Sequence, residues 1–131
     1  MEYKCDYLVI CSTLNQITNY LVIKNFDMKT ENIFNITFKD DSKFSMGIEP
    51  KKWDDNLKDV MGEIPESNKI KLENNEIYDL NEIGAKLEKI INGKDNKDIY
   101  WHITGGQRII TLAISSLLQK MNRINDKILY I

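Results

Sequence analysis

The stretch Tyr7-Leu8-Val9-Ile10-Cys11-Ser12-Thr13 decides the fold. Tyr7 to Cys11 is apolar without interruption and rich in strand formers, the pattern of a parallel strand covered on both faces. Ser12 and Thr13 follow at once, and either side chain suits the cap of a helix running to about Asn25. Ile17, Tyr20, Leu21 and Ile23 give that helix a roughly amphipathic character. A strand passing straight into a helix is the opening of a βαβ unit, and the rest of the chain is read from it.

Outward from this start, Ile33 to Phe38 reads as a second strand with Phe34, Ile36 and Phe38 on one face. Lys39 to Ser42 reads as a turn, and Phe44 to Ile48 as a short hairpin partner. Pro50 suits a first helical turn, with Trp53, Leu57, Val60 and Met61 falling on one side of the helix. Gly62 to Asn68 breaks the pattern. Lys69 to Leu72 reads as an edge strand whose lysines discourage stray pairing. Asp79 and Glu82 have capping-box spacing, ahead of a stripe of Leu80, Ile83, Leu87, Ile90 and Ile91 that Gly93 ends. A fourth strand is expected from Asp98 to Ile103, a turn at Thr104-Gly105-Gly106, a helix from Gln107 to Met121 and a last strand from Lys127 to Ile131. The order β-α-β-α-β-α-β-α-β predicts an α/β, Rossmann-like three-layer sandwich, a mostly parallel sheet with helices on both faces. Residues 1–131 read as a single ligand-binding domain, and the close on a strand leads us to expect a further domain beyond it.

Apolar residues make up 42% of the chain and charged residues 29%, which excludes a disordered composition. No apolar run approaches the roughly 18–20 residues that span a bilayer. The N-terminus lacks the basic-then-apolar layout of a secretory signal, so a cytoplasmic location without membrane association is expected. Cys5 and Cys11 lie within one apparent strand, where disulfide geometry is out of reach, and read as free thiols. One histidine and no Cys/His cluster argue against a metal, and no cofactor is expected.

Net charge is −2, which argues against long nucleic acid as a partner. From Ile99 onward Arg108, Lys120, Arg123 and Lys127 face a single acid, Asp126, so this third carries +3 and the preceding residues −5. An anion is therefore expected to bind near the C-terminal third.

In the common strand order 3-2-1-4-5 the first and fourth strands are neighbours, and ligands bind outside their carboxyl ends. The loops at that point are Ser12-Thr13-Leu14-Asn15-Gln16 and Thr104-Gly105-Gly106-Gln107-Arg108. Two glycines before a helix let backbone N–H groups approach a phosphate, and the helix dipole favours it. Thr104 adds a hydroxyl, Gln107 an amide and Arg108 a fork shaped for phosphate oxygens. No Gly-x-Gly-x-x-Gly follows the first strand and no P-loop exists, which excludes those nucleotide sites. Asp6 precedes the first strand, which excludes a receiver-like phosphoacceptor. Ile109, Ile110, Leu112, Ala113, Ile114, Leu117, Leu118 and Met121 wrap most of the last helix, so a homodimer through that helix is expected. Asp54, Asp55 and Asp59 read as a solvated helix face, Trp53 and Trp101 as core, and His102 as a packed, hydrogen-bonded strand residue.

The β-α repeat, the Ser/Thr-containing first loop and Ile103-Thr104-Gly105-Gly106-Gln107-Arg108 before an apolar helix resemble the CARF domains (CRISPR-associated Rossmann fold). The resemblance is to the group with a Thr-Gly-Gly-Thr-Lys-type turn, with Gln107 and Arg108 standing here where that group often has Thr and Lys. It implies a homodimer that binds cyclic oligoadenylate, the tetra- or hexaadenylate ring, over its two-fold axis and regulates a fused or associated type III CRISPR effector. Carried over by position, Ser12 and Thr13 match the first loop and Thr104, Gly105, Gly106, Gln107 and Arg108 the second. The amides of Asn15 and Gln16 have the chemistry to read adenine edges. Two alternatives stand beside sensing. One is a metal-independent ring nuclease using Ser12, Thr13 and Arg108, in which a ribose 2′-hydroxyl attacks its own phosphate. The other is a Rossmann-like dimerisation module with no nucleotide ligand.

Overall fold

The computed structural model describes residues 4–13, 16–38, 50–73, 79–104 and 108–130, with the side chains of 50 and 51 excepted. Among the described residues strands and α-helices alternate: β1 (Tyr7–Cys11), α1 (Ile17–Phe26), β2 (Ile33–Phe38), α2 (Pro50–Met61), β3 (Lys69–Leu72), α3 (Leu80–Ile91), β4 (Ile99–His102), α4 (Arg108–Lys120) and β5 (Lys127–Leu129). The strands form one sheet in the order β3-β2-β1-β4-β5, and every pair is parallel. This is the doubly wound sandwich anticipated from the element order. The hairpin partner expected at Phe44 to Ile48 lies outside the described residues.

Side-chain alternation divides the core between the two faces of the sheet. Val9 and Cys11 of β1 join Phe34, Ile36 and Phe38 of β2, Ile99 and Trp101 of β4, and the inward residues of α3 and α4. Leu8, Ile10, Ile33 and Tyr100 join Val22 and Ile23 of α1 and Leu57 of α2. β1 is the centre of both clusters, which explains its unbroken apolar run. Cys5 falls just before β1 rather than within it, and both thiols are free. Burial pushes the Cys11 thiol up to about 12 and that of Cys5 up to about 11.

Several helices differ from the sequence pattern in which face they bury. α1 begins at Ile17, after Gln16, whose side chain makes no capping hydrogen bond, and neither Ser12 nor Thr13 is the cap residue. Its inward residues are Asn19, Val22 and Ile23, while Ile17 and Leu21 are exposed. Asp79 does cap α3, accepting from the N–H groups of Asn81 and Glu82 at 3.0 and 3.3 Å. Val60 of α2 and Leu80 of α3 face solvent. α4 buries Ile110, Ala113, Ile114 and Leu117, and its exposed stripe of Arg108, Leu112, Ser115 and Gln119 carries one large apolar residue. The apolar circumference of α4 is thus used by the sheet and by α3, which packs closely on it.

At the amino end of β4 a buried ion pair joins the last three elements. Asn122 adopts φ +54° after α4, and this left-handed turn brings Arg123 back under the sheet edge. Its Nε and Nη2 donate to the two Asp126 oxygens at 3.0 and 2.9 Å, while Nη1 and Nη2 donate to the carbonyls of Lys94 and Lys97 at 2.8 Å. Asp126 also accepts from the Ile99 N–H and from Trp101 Nε1, both at 3.1 Å. The Arg123 and Asp126 side chains are only 7% and 1% exposed. Removing one partner of such a pair strands the other charge in a dry site. Asp126→Ala is therefore expected to cost about 3–5 kcal/mol in urea unfolding at neutral pH. Lys120→Ala, which breaks only the surface pair to Glu88, is expected to shift stability by less than about 1 kcal/mol.

Candidate functional site

The winding direction reverses between β1 and β4, where Ile10 pairs with His102. The chain leaves the two strands side by side, so Ser12-Thr13 and Ile103-Thr104 stand at the same carboxyl edge of the sheet. Thr13 and Thr104 are half-buried there, and exposed Arg108 opens α4. Gly105, Gly106, Gln107 and Asn15 lie outside the described residues.

Ser12 and Gln16 have a different role from the one read in the sequence. Both are buried, at 4% and 8% exposure, and their polar atoms are committed within the protein. Ser12 Oγ donates to Asp54 Oδ1 at 2.7 Å and accepts from Gln16 Nε2 at 3.0 Å. The second Gln16 amide proton goes to the Trp53 carbonyl, also at 3.0 Å. These contacts pin the base of the β1 loop to α2 rather than offering side chains to a ligand.

The pair belongs to a longer buried chain. Asn19 Nδ2 donates to Gln16 Oε1 at 2.7 Å and to the Cys11 carbonyl at 2.8 Å, which uses both amide protons. Its Oδ1 therefore accepts from His102 Nδ1 at 2.7 Å. That assignment fixes the histidine tautomer, with the proton on Nδ1 and a lone pair on Nε2. Donors thus run in one direction, from His102 through Asn19, Gln16 and Ser12 to Asp54. From the other side Asn35 Nδ2 reaches Asp54 Oδ1 at 2.9 Å and Thr37 Oγ1 reaches Asp54 Oδ2 at 2.8 Å. Ser12, Asn35, Thr37 and His102 all continue the strand parity that points toward α1 and α2.

Asp54 is accordingly a hydrogen-bond hub, not part of a solvated face as its place beside Asp55 and Asp59 implied. Asn19, Asn35 and Thr37 are the residues the sequence reading passed over. The available signal was polar residues at inward positions, above all Asn35 and Thr37 alternating with Phe34, Ile36 and Phe38. Trp53 and Trp101 are buried as expected, and His102 is the packed strand residue anticipated, at 0% exposure.

The basic character of the C-terminal third does not gather at the carboxyl edge. Arg123 is committed to Asp126, Lys120 pairs with Glu88 at 3.2 Å, and Lys127 lies 5.6 Å over the Tyr100 ring. Of these four cations Arg108 alone opens onto the β4–α4 junction.

The strand order defines a doubly wound α/β domain. Comparison with protein-family models gives no match to this sequence, and comparison with curated proteins gives none. Among the described residues no helix is long and apolar enough to cross a membrane.

Burial pushes the His102 pKa down to about 4 from 6.5. The unfolded chain therefore takes up a proton as pH falls through 6.5 while the folded protein does not until near 4. Stability from this group is full above pH 6.5 and declines by about 3 kcal/mol on acidification to pH 4. Between pH 6.5 and 5 the wild type is expected to lose about 2 kcal/mol that His102→Gln does not lose. Urea unfolding of both proteins across that range checks this, and parallel profiles would refute it.

Proposed function

We propose that this domain is a sensor that binds a cyclic oligoadenylate at the crevice between β1 and β4, as the likeness to CARF domains implies. The observation that carries the reading is the direct pairing of β1 with β4 in a 3-2-1-4-5 sheet. It sets the two loops singled out in the sequence at one edge. Thr13 and Thr104 line the strand exits, and Arg108 at the start of a 13-residue helix supplies a cation beside its positive dipole end. A phosphodiester ring meets hydroxyl, backbone and guanidinium groups there.

Ser12 and Gln16 leave the proposed ligand set, because their hydrogen bonds hold α2 and α1 to the loop. The same fact weakens the ring-nuclease alternative, in which Ser12 takes part. His102 does not serve as a base in it, being fully buried with its Nδ1 proton on Asn19. Sensing is the reading we retain, with a homodimer presenting two crevices to one symmetric anion and an effector regulated through it. The dimer contact is assigned to the exposed Leu112 side of α4. Ile110 and Ile114, at 1% and 0% exposure, are core residues whose replacement by Asp would unfold the domain.

Calorimetric titration with cyclic tri-, tetra- and hexaadenylate tests the proposal. One ring is expected to bind at one per dimer, and Arg108→Glu to weaken it by about tenfold or more. Ser12→Ala is expected to lower stability by about 1–3 kcal/mol and to weaken binding of the ring less than Arg108→Glu does. Leu112→Asp is expected to reduce the sedimentation mass without loss of helix content. Heat with none of the rings, or binding indifferent to Arg108→Glu, would overturn the reading.

A further inference from the structure

A second polar site lies away from the crevice, between α2 and the edge strand β3. Its floor is Asn35, which is 1% exposed. The amide donates through Nδ2 to Asp54, and this contact fixes its orientation, since the reverse would set oxygen against a carboxylate. Oδ1 is left buried with no partner. An unmet buried acceptor costs roughly 1–3 kcal/mol, so a donor is wanted at this point. Asn35 and Asp54 both line a pocket of about 250 Å³ that opens beside β3.

We propose that this pocket binds a small organic cation, an alkylammonium or guanidinium, through the Asn35 amide oxygen and the Asp54 carboxylate. Donors of the protein already meet Asp54, two on Oδ1 and one on Oδ2, which leaves acceptor capacity on Oδ2. Two acceptor residues lining one pocket, one of them charged, match the N–H groups of a guanidinium or an ammonium. The lysines around the pocket do not reverse its sign, because carboxylates answer them. Lys58 pairs with Glu63 at 3.6 Å, and Lys69 and Lys71 pair with Glu66 at 3.3 and 2.8 Å. Lys69 and Lys71 share one carboxylate, so with Asp54 and Asp55 four carboxylates stand against three lysines and leave a single negative charge. A metal ion is a poorer fit, since among the described residues no group of three or more His, Cys, Asp or Glu is placed to hold one. The volume suits a fragment-sized ligand rather than a nucleotide. Nothing in this inference depends on the nucleotide reading, which concerns the other end of the Ser12–Asp54 link.

The test is an amide-resolved NMR titration of the whole chain with agmatine, which carries both a guanidinium and an ammonium. Saturable shifts are expected at Asn35, Asp54 and Lys69, with a Kd of about 1 mM. Asp55→Asn, an exposed change that spares the buried chain, is expected to weaken binding by about two- to fivefold. Sodium acetate at the same concentration is expected to leave those amides unmoved. Shifts with acetate at the same residues would make this a lysine-lined anion site and overturn the proposal. So would a lack of saturable shifts with agmatine. A crystal grown with agmatine that shows only water, or the Lys69 ammonium, on Asn35 Oδ1 would overturn it equally.

Discussion

The Asp54 carboxylate sits above the carboxyl half of the sheet and takes hydrogen bonds from Ser12, Asn35 and Thr37. These donors come from β2 and the first loop, while the acceptor comes from α2, a helix that enters the chain later. A carboxylate in such a place is stable only when its lone pairs are met, so the geometry of three segments is fixed together. Through Ser12 and Gln16 the same contacts reach Asn19 on α1 and His102 on β4. Interaction strengths in a chain of this kind reinforce one another in a low dielectric, and a break at any member leaves a buried polar atom without its partner. The carboxyl edge of the sheet is therefore stiff at its base, whatever binds above it.

That stiffness has an opposite number at the other edge. Arg123 and Asp126 close the amino end of β4 and β5 with two parallel hydrogen bonds, and Lys94 caps the Tyr7 and Phe34 rings at 5.1 and 4.8 Å. The two polar clusters bracket an apolar sheet whose strands are short, from three to six residues. Short strands bury little area each, and the hydrogen-bonded ends fix a register that hydrophobic contact alone would leave loosely specified.

The sheet order was legible because β1 carries no polar residue and because each helix is followed by a strand-forming run. Those features depend on local composition, which a sequence displays directly. The stripe of Ile83, Leu87, Ile90 and Ile91 and the Asp79 cap were legible for the same reason. The roles of Ser12, Gln16 and Asp54 were not, because they rest on contacts between residues 37 to 42 positions apart. A Ser after a strand has the same local signature whether its hydroxyl caps a helix, meets a phosphate or bonds to a distant aspartate. α1 misled in a related way. Its apolar residues Ile17 and Leu21 face out because Gln16 and Asn19 are required inward, and hydrophobicity alone ranks those positions the other way. The charge balance of the C-terminal third likewise counted Arg123 as available, when the left-handed Asn122 turns it into a buried pair.

A consequence follows for any anion at the crevice. With Ser12 held at its base, the β1 loop meets a ligand from Thr13 onward, and it does so from a fixed starting direction. A preorganised loop loses less conformational entropy on binding than a free one. The polar chain thus bears on affinity without touching the ligand, as a positioning element. Asp54 carries this constraint on Oδ1, where Ser12 and Asn35 meet, while Thr37 alone occupies Oδ2. A cation at the α2–β3 pocket would draw on Oδ2 and leave the Ser12 contact in place. The two regions meet at one carboxylate, with Ser12 on Oδ1 and Thr37 on Oδ2.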